Sequence, residues 1–197
     1  MTALFRNLLV LLVACLASVP MPVRAQGHGS TSAEGALFLL LPIGAKGVAL
    51  GRAMTAMGGV ESVFWNPAGL ADVDERQVGL DRGDNVAGIS TVLAQSGLGA
   101  ISASYFLHDV GNQDLTDSNG NFLGTLTVRN HLGVVSAAAR LLDWVNAGVN
   151  FKVVQFRTAC RGTFCPDVGT TATSYAMDAG LQIRPSPSLR IAAMVEH

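Results

Sequence analysis

The sequence predicts an all-β fold: an antiparallel transmembrane β-barrel with a short N-terminal plug or helical segment. Three observations predict it. Apolar and polar residues alternate with a period of two in segments of about ten residues, which sends them to opposite faces of strands. Short turns alternate with long polar connections, and alternating segments of this length joined in this way are the pattern of outer-membrane barrels. Only 14% of residues are charged while 49% are hydrophobic, with a mean hydropathy of +0.38; a soluble domain carries about 25% charged residues. No stretch after the N-terminal 25 residues holds the ~18 consecutive apolar residues that a spanning helix needs. So much apolar content excludes disorder. Thirteen Lys and Arg against 14 Asp and Glu, with no basic run, offer no footprint for nucleic acid.

Residues 1–25 read as a cleaved secretory signal: Arg6, the apolar run Leu8 to Val19, then Val23-Arg24-Ala25 ahead of Gln26. Leu12-Val13-Ala14-Cys15 also fits a lipoprotein cleavage site, with lipid on Cys15 as the alternative. A retained anchor is disfavoured, because the apolar run falls short of the ~20 residues of a membrane span. Export leaves Cys160 and Cys165 as an even pair in a stretch of Arg, Gly, Thr and Pro, which predicts a disulfide closing a small loop. The scattered histidines 28, 108, 131 and 197 supply no metal-ligand set.

Residues 26–71 precede the strands as a separate N-terminal segment. Gly47 and Gly51, four apart, would let a short helical piece approach another backbone closely. Further on stands Trp65-Asn66-Pro67-Ala68-Gly69-Leu70. Asn-Pro initiates turns and holds the pre-proline residue out of the α region, and Gly69 is expected to supply a positive φ, so the segment should reverse sharply. Two roles stay open for it: organising the entry to the first strand, or contacting a ligand.

Residues 72–197 carry the strands. Ile101, Ala103, Tyr105 and Leu107 alternate with Ser102, Ser104 and His108; Leu126 and Val128 oppose Thr125, Thr127 and Arg129; 132–142 is a noisier case. Ala147, Val149, Phe151 and Val153 oppose Asn150 and Lys152. Met177, Ala179, Leu181 and Ile183 oppose Asp178, Gly180, Gln182 and Arg184, and after a Pro185–Ser188 turn Leu189, Ile191, Ala193 and Val195 oppose Arg190 and Glu196. Lipid offers no hydrogen-bond partners, so the backbone of such strands must pair in a closed sheet. Asn150, Lys152, Asp178, Gln182, Arg184, Arg190 and Glu196 then face the lumen. Trp144, beside a short turn, suits an interfacial girdle. About eight strands are expected, with 108–121 and 157–173 as long polar loops. A soluble secreted β-sandwich, which also alternates, is the competing architecture.

Pro42, Gly44, Ala45, Gly51, Ala53 and Gly58, followed by the Trp-Asn-Pro-Ala-Gly-Leu motif at 65–70, closely resemble the PorV/PorQ family of outer-membrane barrels, which belongs with the FadL-like proteins. The resemblance implies that the N-terminal segment, with Gly44, Gly47 and Gly51, tucks into the barrel as a plug. It also implies a complete barrel of about fourteen strands, of which this chain would be an N-terminal fragment. Two functions follow from it: transport of hydrophobic small molecules across the bacterial outer membrane, or a type IX secretion component that binds exported cargo proteins. The implied partners are outer-membrane lipids, the barrel assembly machinery, and a hydrophobic small molecule or a secreted cargo protein.

No nucleophile elbow, zinc-protease helix, phosphate-binding loop or dinucleotide fingerprint is present, so neither an enzyme nor a cofactor is expected. Asp117, Asn119 and Asn121 resemble a calcium loop only faintly, with the glycine and the terminal glutamate misplaced.

Overall fold

A computed structural model describes residues 43–162, 165 and 169–196. The signal segment 1–25 with Cys15, the beginning of the 26–71 segment and His197 lie outside the described residues. Seven strands form one antiparallel sheet in sequence order: β1 (Val78–Arg82), β2 (Val86–Ser96), β3 (Gly99–Thr116), β4 (Phe122–Leu142), β5 (Val145–Arg161), β6 (Thr170–Ser186) and β7 (Leu189–Val195). The fold is all-β, and the sheet is open, with no pairing between β1 and β7. Before β1 come a helix α1 (Ala45–Ala49) and two 3-10 turns, η1 (Val60–Phe64) and η2 (Pro67–Asp72).

Two sequence expectations need correction. The segments 122–130 and 132–142 are one 21-residue strand, β4, so the described strands number seven rather than about eight. The presumed long loops shrink to 117–121 and 162–169, because β3 continues through Thr116, β5 through Arg161, and β6 begins at Thr170. Those stretches are polar on both faces, which resembles a loop in composition, yet Asn112↔Thr127 and Arg129↔Arg157 are ladder pairs.

Strand pairing places side chains in rows across the sheet. One outward row runs Leu80, Ile89, Tyr105, Gly133, Val153 and Tyr175; the next runs Val78, Thr91, Ala103, Val135, Phe151 and Met177. From these rows to the short turns at Gly97–Leu98, Asp143–Trp144 and Pro187–Ser188, the outward face of the described strands carries no Asp, Glu, Lys or Arg. Many of these side chains are exposed, Leu80 at 77% and Tyr175 at 62%. In the other direction a border row holds Arg82, His131, Gln155 and Thr173, and beyond it stand Asp109, Arg129 and Arg157. The Tyr105 hydroxyl and His131 Nδ1, 2.6 Å apart, satisfy each other at that border.

The inward face is covered by residues 43–73, and the hydrophobic core lies between the two. Val92, Ala100, Phe106, Leu132, Val134, Ala138 and Val154 of the sheet meet Ile43, Val63, Phe64, Leu70, Ala71 and Val73 of the segment. Phe64 meets Phe106 edge to face, with ring centroids 6.2 Å apart, a favoured aromatic geometry. The inward face is therefore not uniformly polar: it is apolar mainly on β2–β4 and polar on β5–β7.

Candidate functional site

The segment is held where irregular backbone meets polar strand residues. Buried carbonyls outside a helix or ladder need donors from elsewhere, and the strands supply them. Gln182 Nε2 donates to the carbonyls of Thr55 and Met57, both at 3.1 Å. Arg190 reaches the Ala56 carbonyl at 3.1 Å, Asn150 that of Val63 at 2.8 Å, and Arg140 that of Ala71 at 3.2 Å. Asp72, at the end of η2, is an acidic counterpart: it pairs with Arg184 at 2.8 Å and Arg190 at 3.1 Å, and accepts from Asn146 at 2.7 Å.

Of the residues expected to face a lumen, Asn150, Lys152, Asp178, Gln182, Arg184 and Arg190 all lie on the segment's side of the sheet and hold it or each other. Lys152 Nζ sits 2.6 Å from Asp178 Oδ2, and Asn150 donates to the same oxygen at 3.1 Å. The Asp178 side chain has no exposed surface. Glu196 is exposed, at a groove also lined by Arg52, Thr55, Trp65 and Met194.

The motif at 65–70 forms the deepest contact. Asn66 takes an extended backbone at the N-cap of η2 and Pro67 follows at N1, as proline's effect on its predecessor and its fit at a helix start require. Asn66 Oδ1 caps the Ala68 N–H at 3.0 Å, while Nδ2 faces the carbonyls of Thr55, Leu181 and Ala193 at 2.9, 3.3 and 3.4 Å. This turn sits on two glycines paired directly across β5 and β6, Gly148 and Gly180. A Cβ on Gly148 would strike the Pro67–Ala68 peptide, and one on Gly180 would strike Asn66 Oδ1. Trp65 donates Nε1 to the Ile43 carbonyl at 3.1 Å and lays its ring over Gly47. Ala68 and Leu70 are fully buried.

Three glycine expectations change. Gly69 does not take a positive φ; it lies within η2, where a Cβ would strike the Met57 carbonyl and crowd Ser62. Gly47 admits an indole ring rather than a backbone. Gly51 faces open space and turns the chain after α1 at φ +57°, while Gly44 precedes α1 at φ +88°. The motif also does more than organise entry to the first strand, since its partners lie on β5, β6 and β7. Sequence reasoning missed Gly148 and Gly180, although a glycine inside a strand is a known mark of close backbone approach.

Burial, and then the neighbouring Asp81 carboxylate, push the Glu61 carboxyl above its ordinary value, with Lys46 opposing. Asp117 lies below its ordinary value because it accepts from the Asn121 side chain and from the N–H groups of Asn121 and Asn119. Those oxygens already serve the loop's own amides. Cys160 and Cys165 are joined by a disulfide, Cα atoms 5.5 Å apart. Among the described residues no three His, Cys, Asp or Glu side chains gather as metal ligands. A groove of about 300 Å³ between the segment and β1–β3 is lined by Ile43, Val48, Leu80, Val86 and Phe106, with Asp81 and Arg82 among its polar residues. No protein-family model and no curated protein matches the chain.

Proposed function

We propose that the sheet is part of the wall of an outer-membrane β-barrel of the PorV/PorQ, FadL-like type, that residues 43–73 are its plug, and that the protein passes hydrophobic small molecules across the membrane. The observation that carries this reading is the inversion of the two faces. Asn146, Asn150, Lys152, Asp178, Gln182, Arg184 and Arg190 point at the segment, and the outward face beside them is uncharged over a defined band. On β5 that band runs from Val145 to Val153, roughly 27 Å at about 3.3 Å per residue. A transmembrane strand needs about 9–11 residues. Trp144 sits at one margin, and Tyr105 and Tyr175 share a row at the other, which matches aromatic girdles at the two interfaces. A β-sandwich would cover the inward face with a second sheet; among the described residues the segment covers it.

The groove of about 300 Å³ beside Phe106 suits an apolar ligand of modest size. Flotation tests the wall: the full chain refolded with neutral phospholipid vesicles should float with them and resist extraction by high salt. A chain left in the aqueous fraction would refute the reading. Transport is read as uptake of a fluorescent fatty acyl probe by vesicles containing the chain, which should fall on Phe106→Glu. Vesicles that bind an exported protein's C-terminal domain but do not take up the probe would favour secretion instead.

A further inference from the structure

We propose that the outward arginines beyond the apolar band bind the headgroup of a lipid carrying more than one phosphate. This rests on the membrane reading above. Arg129 and Arg157 stand directly opposite each other on β4 and β5, and Arg161 follows on the same face of β5. With Asn112, Thr127 and Ala159 they line an open groove of about 430 Å³. Like charges directly opposite across strands are destabilising unless something neutralises them. Asp109 answers only one of the three: its carboxylate lies 2.8 Å from Arg129 Nε. Asp114 shares the face, paired in register with Thr125, one strand from Arg161. Among the described residues neither Arg157 nor Arg161 has a carboxylate within ion-pair distance. Both guanidiniums are exposed and meet no carboxylate among the described residues, and their donor forks match phosphate oxygens in pairs.

Position makes the anion a lipid. Arg157 lies four residues past Val153, where the uninterrupted outward apolar run of β5 gives way to Gln155, or about 13 Å along the strand. At a tilt of about 45° that is roughly 9 Å along the membrane normal, the depth of the headgroup layer and its outer margin. A molecule with one phosphate at Arg157 and the second at Arg161, about 9 Å farther out along the normal, would lay its acyl chains down the uncharged face past Tyr175 and Phe151, whose rings stack at 6.1 Å. Arg157 and Arg161 are about 13 Å apart along the strand, too far for one phosphate and suited to a headgroup bearing two. Longer loops lie at this end and short turns at the other, which places the patch on the extracellular leaflet.

The test uses the full chain in micelles of an uncharged detergent, titrated with bisphosphorylated lipid A, the same lipid stripped of phosphate, and inorganic pyrophosphate. Lipid A should bind the wild type and lose about tenfold in affinity per guanidinium removed, so on the order of 100-fold for R157Q/R161Q. R76Q, an exposed arginine outside the groove, should bind as the wild type does. Both groove substitutions are solvent-exposed, and unchanged circular dichroism excludes loss of fold. Equal binding of the phosphate-free lipid, or an unaffected R157Q/R161Q, overturns the proposal. Pyrophosphate binding as tightly as lipid A reduces the patch to a simple anion site and also overturns it. A chain that fails to float with vesicles overturns the membrane reading as well, whereas one that floats but ignores the phosphates overturns only this inference.

Discussion

The seating of the Asn66-Pro67-Ala68 turn on Gly148 and Gly180 yields the sharpest prediction. Gly148→Ala places a methyl against the Pro67–Ala68 peptide, within 2.5 Å of the Ala68 nitrogen, and a backbone peptide cannot swing aside as a side chain can. Overpacking of this kind costs about 1–3 kcal/mol. If the turn lifts to relieve it, the Asn66 contacts to Leu181 and Ala193 go too, each worth about 1 kcal/mol. Lifting, at about 2 kcal/mol, replaces the clash, so the expected loss is about 1–3 kcal/mol. Gly180→Ala should cost a similar amount, because its methyl meets Asn66 Oδ1. Both clashes are relieved by the same lifting, so the double variant should cost less than the sum. Gly133 is the control: it sits outward on β4 with nothing within 4 Å of an added Cβ, and Gly133→Ala should be neutral or slightly stabilising. Denaturant unfolding in detergent gives the energies, and limited proteolysis between Arg52 and Asn66 reports the lifting. Equal effects at Gly133 and Gly148, or strict additivity of the pair, would refute the seating argument.

Asn66→Asp should be worse than Asn66→Ser by more than 1 kcal/mol in the same unfolding assay, since a carboxylate keeps the Ala68 cap but faces three carbonyls. Lys152→Met should cost about 3–5 kcal/mol by leaving Asp178 charged and buried, and Lys152→Met with Asp178→Leu should recover much of it; two additive losses would contradict a coupled pair. Glu61 belongs to the segment, and its raised carboxyl means that folding disfavours its charged form. Glu61→Gln should therefore stabilise at neutral pH, with the gain vanishing as pH falls below the ordinary value of 4.5. A pH-independent difference in unfolding midpoint would remove the electrostatic cause.

Period two carried most of what the sequence could show. Asn150, Lys152, Asp178, Gln182, Arg184 and Arg190 fall on the inward face because side chains alternate along a strand and the β5–β6 ladder carries no register shift, so parity suffices without the pairing. Parity could not reveal what those side chains hold. Asn66 meets Leu181 across 115 residues and Gln182 meets Thr55 across 127, distances at which local pattern is silent. The strand ends were illegible for a different reason. Asn112 and Arg157 are polar like loop residues, and only ladder pairing distinguishes them. Gly148 and Gly180 were visible as strand glycines at inward parity, but their shared partner was not.

The segment and the sheet make each other's polar groups tolerable, and this bears on how the interior could ever open. Thr55, Ala56, Met57 and Val63 present carbonyls that no local helix or ladder uses, and Gln182, Arg190 and Asn150 are the donors that meet them. Each such bond adds only about 1 kcal/mol when water would otherwise replace it, but costs about 1–3 kcal/mol per group when nothing does. A dry separation would orphan donors and acceptors together, including the charged Arg190. A wet one would exchange each bond for hydration at small net cost, leaving the apolar contact of Phe64 with Phe106 and its neighbours as the main resistance. Movement of the segment should therefore begin on the β5–β7 side, where its contacts are polar, and hinge on the β2–β4 side, where they are not. Hydrogen exchange in the full chain can read that order: the Ala68 amide should exchange before those of Val63 and Phe64, and the reverse order would place the weak side at the hydrophobic core.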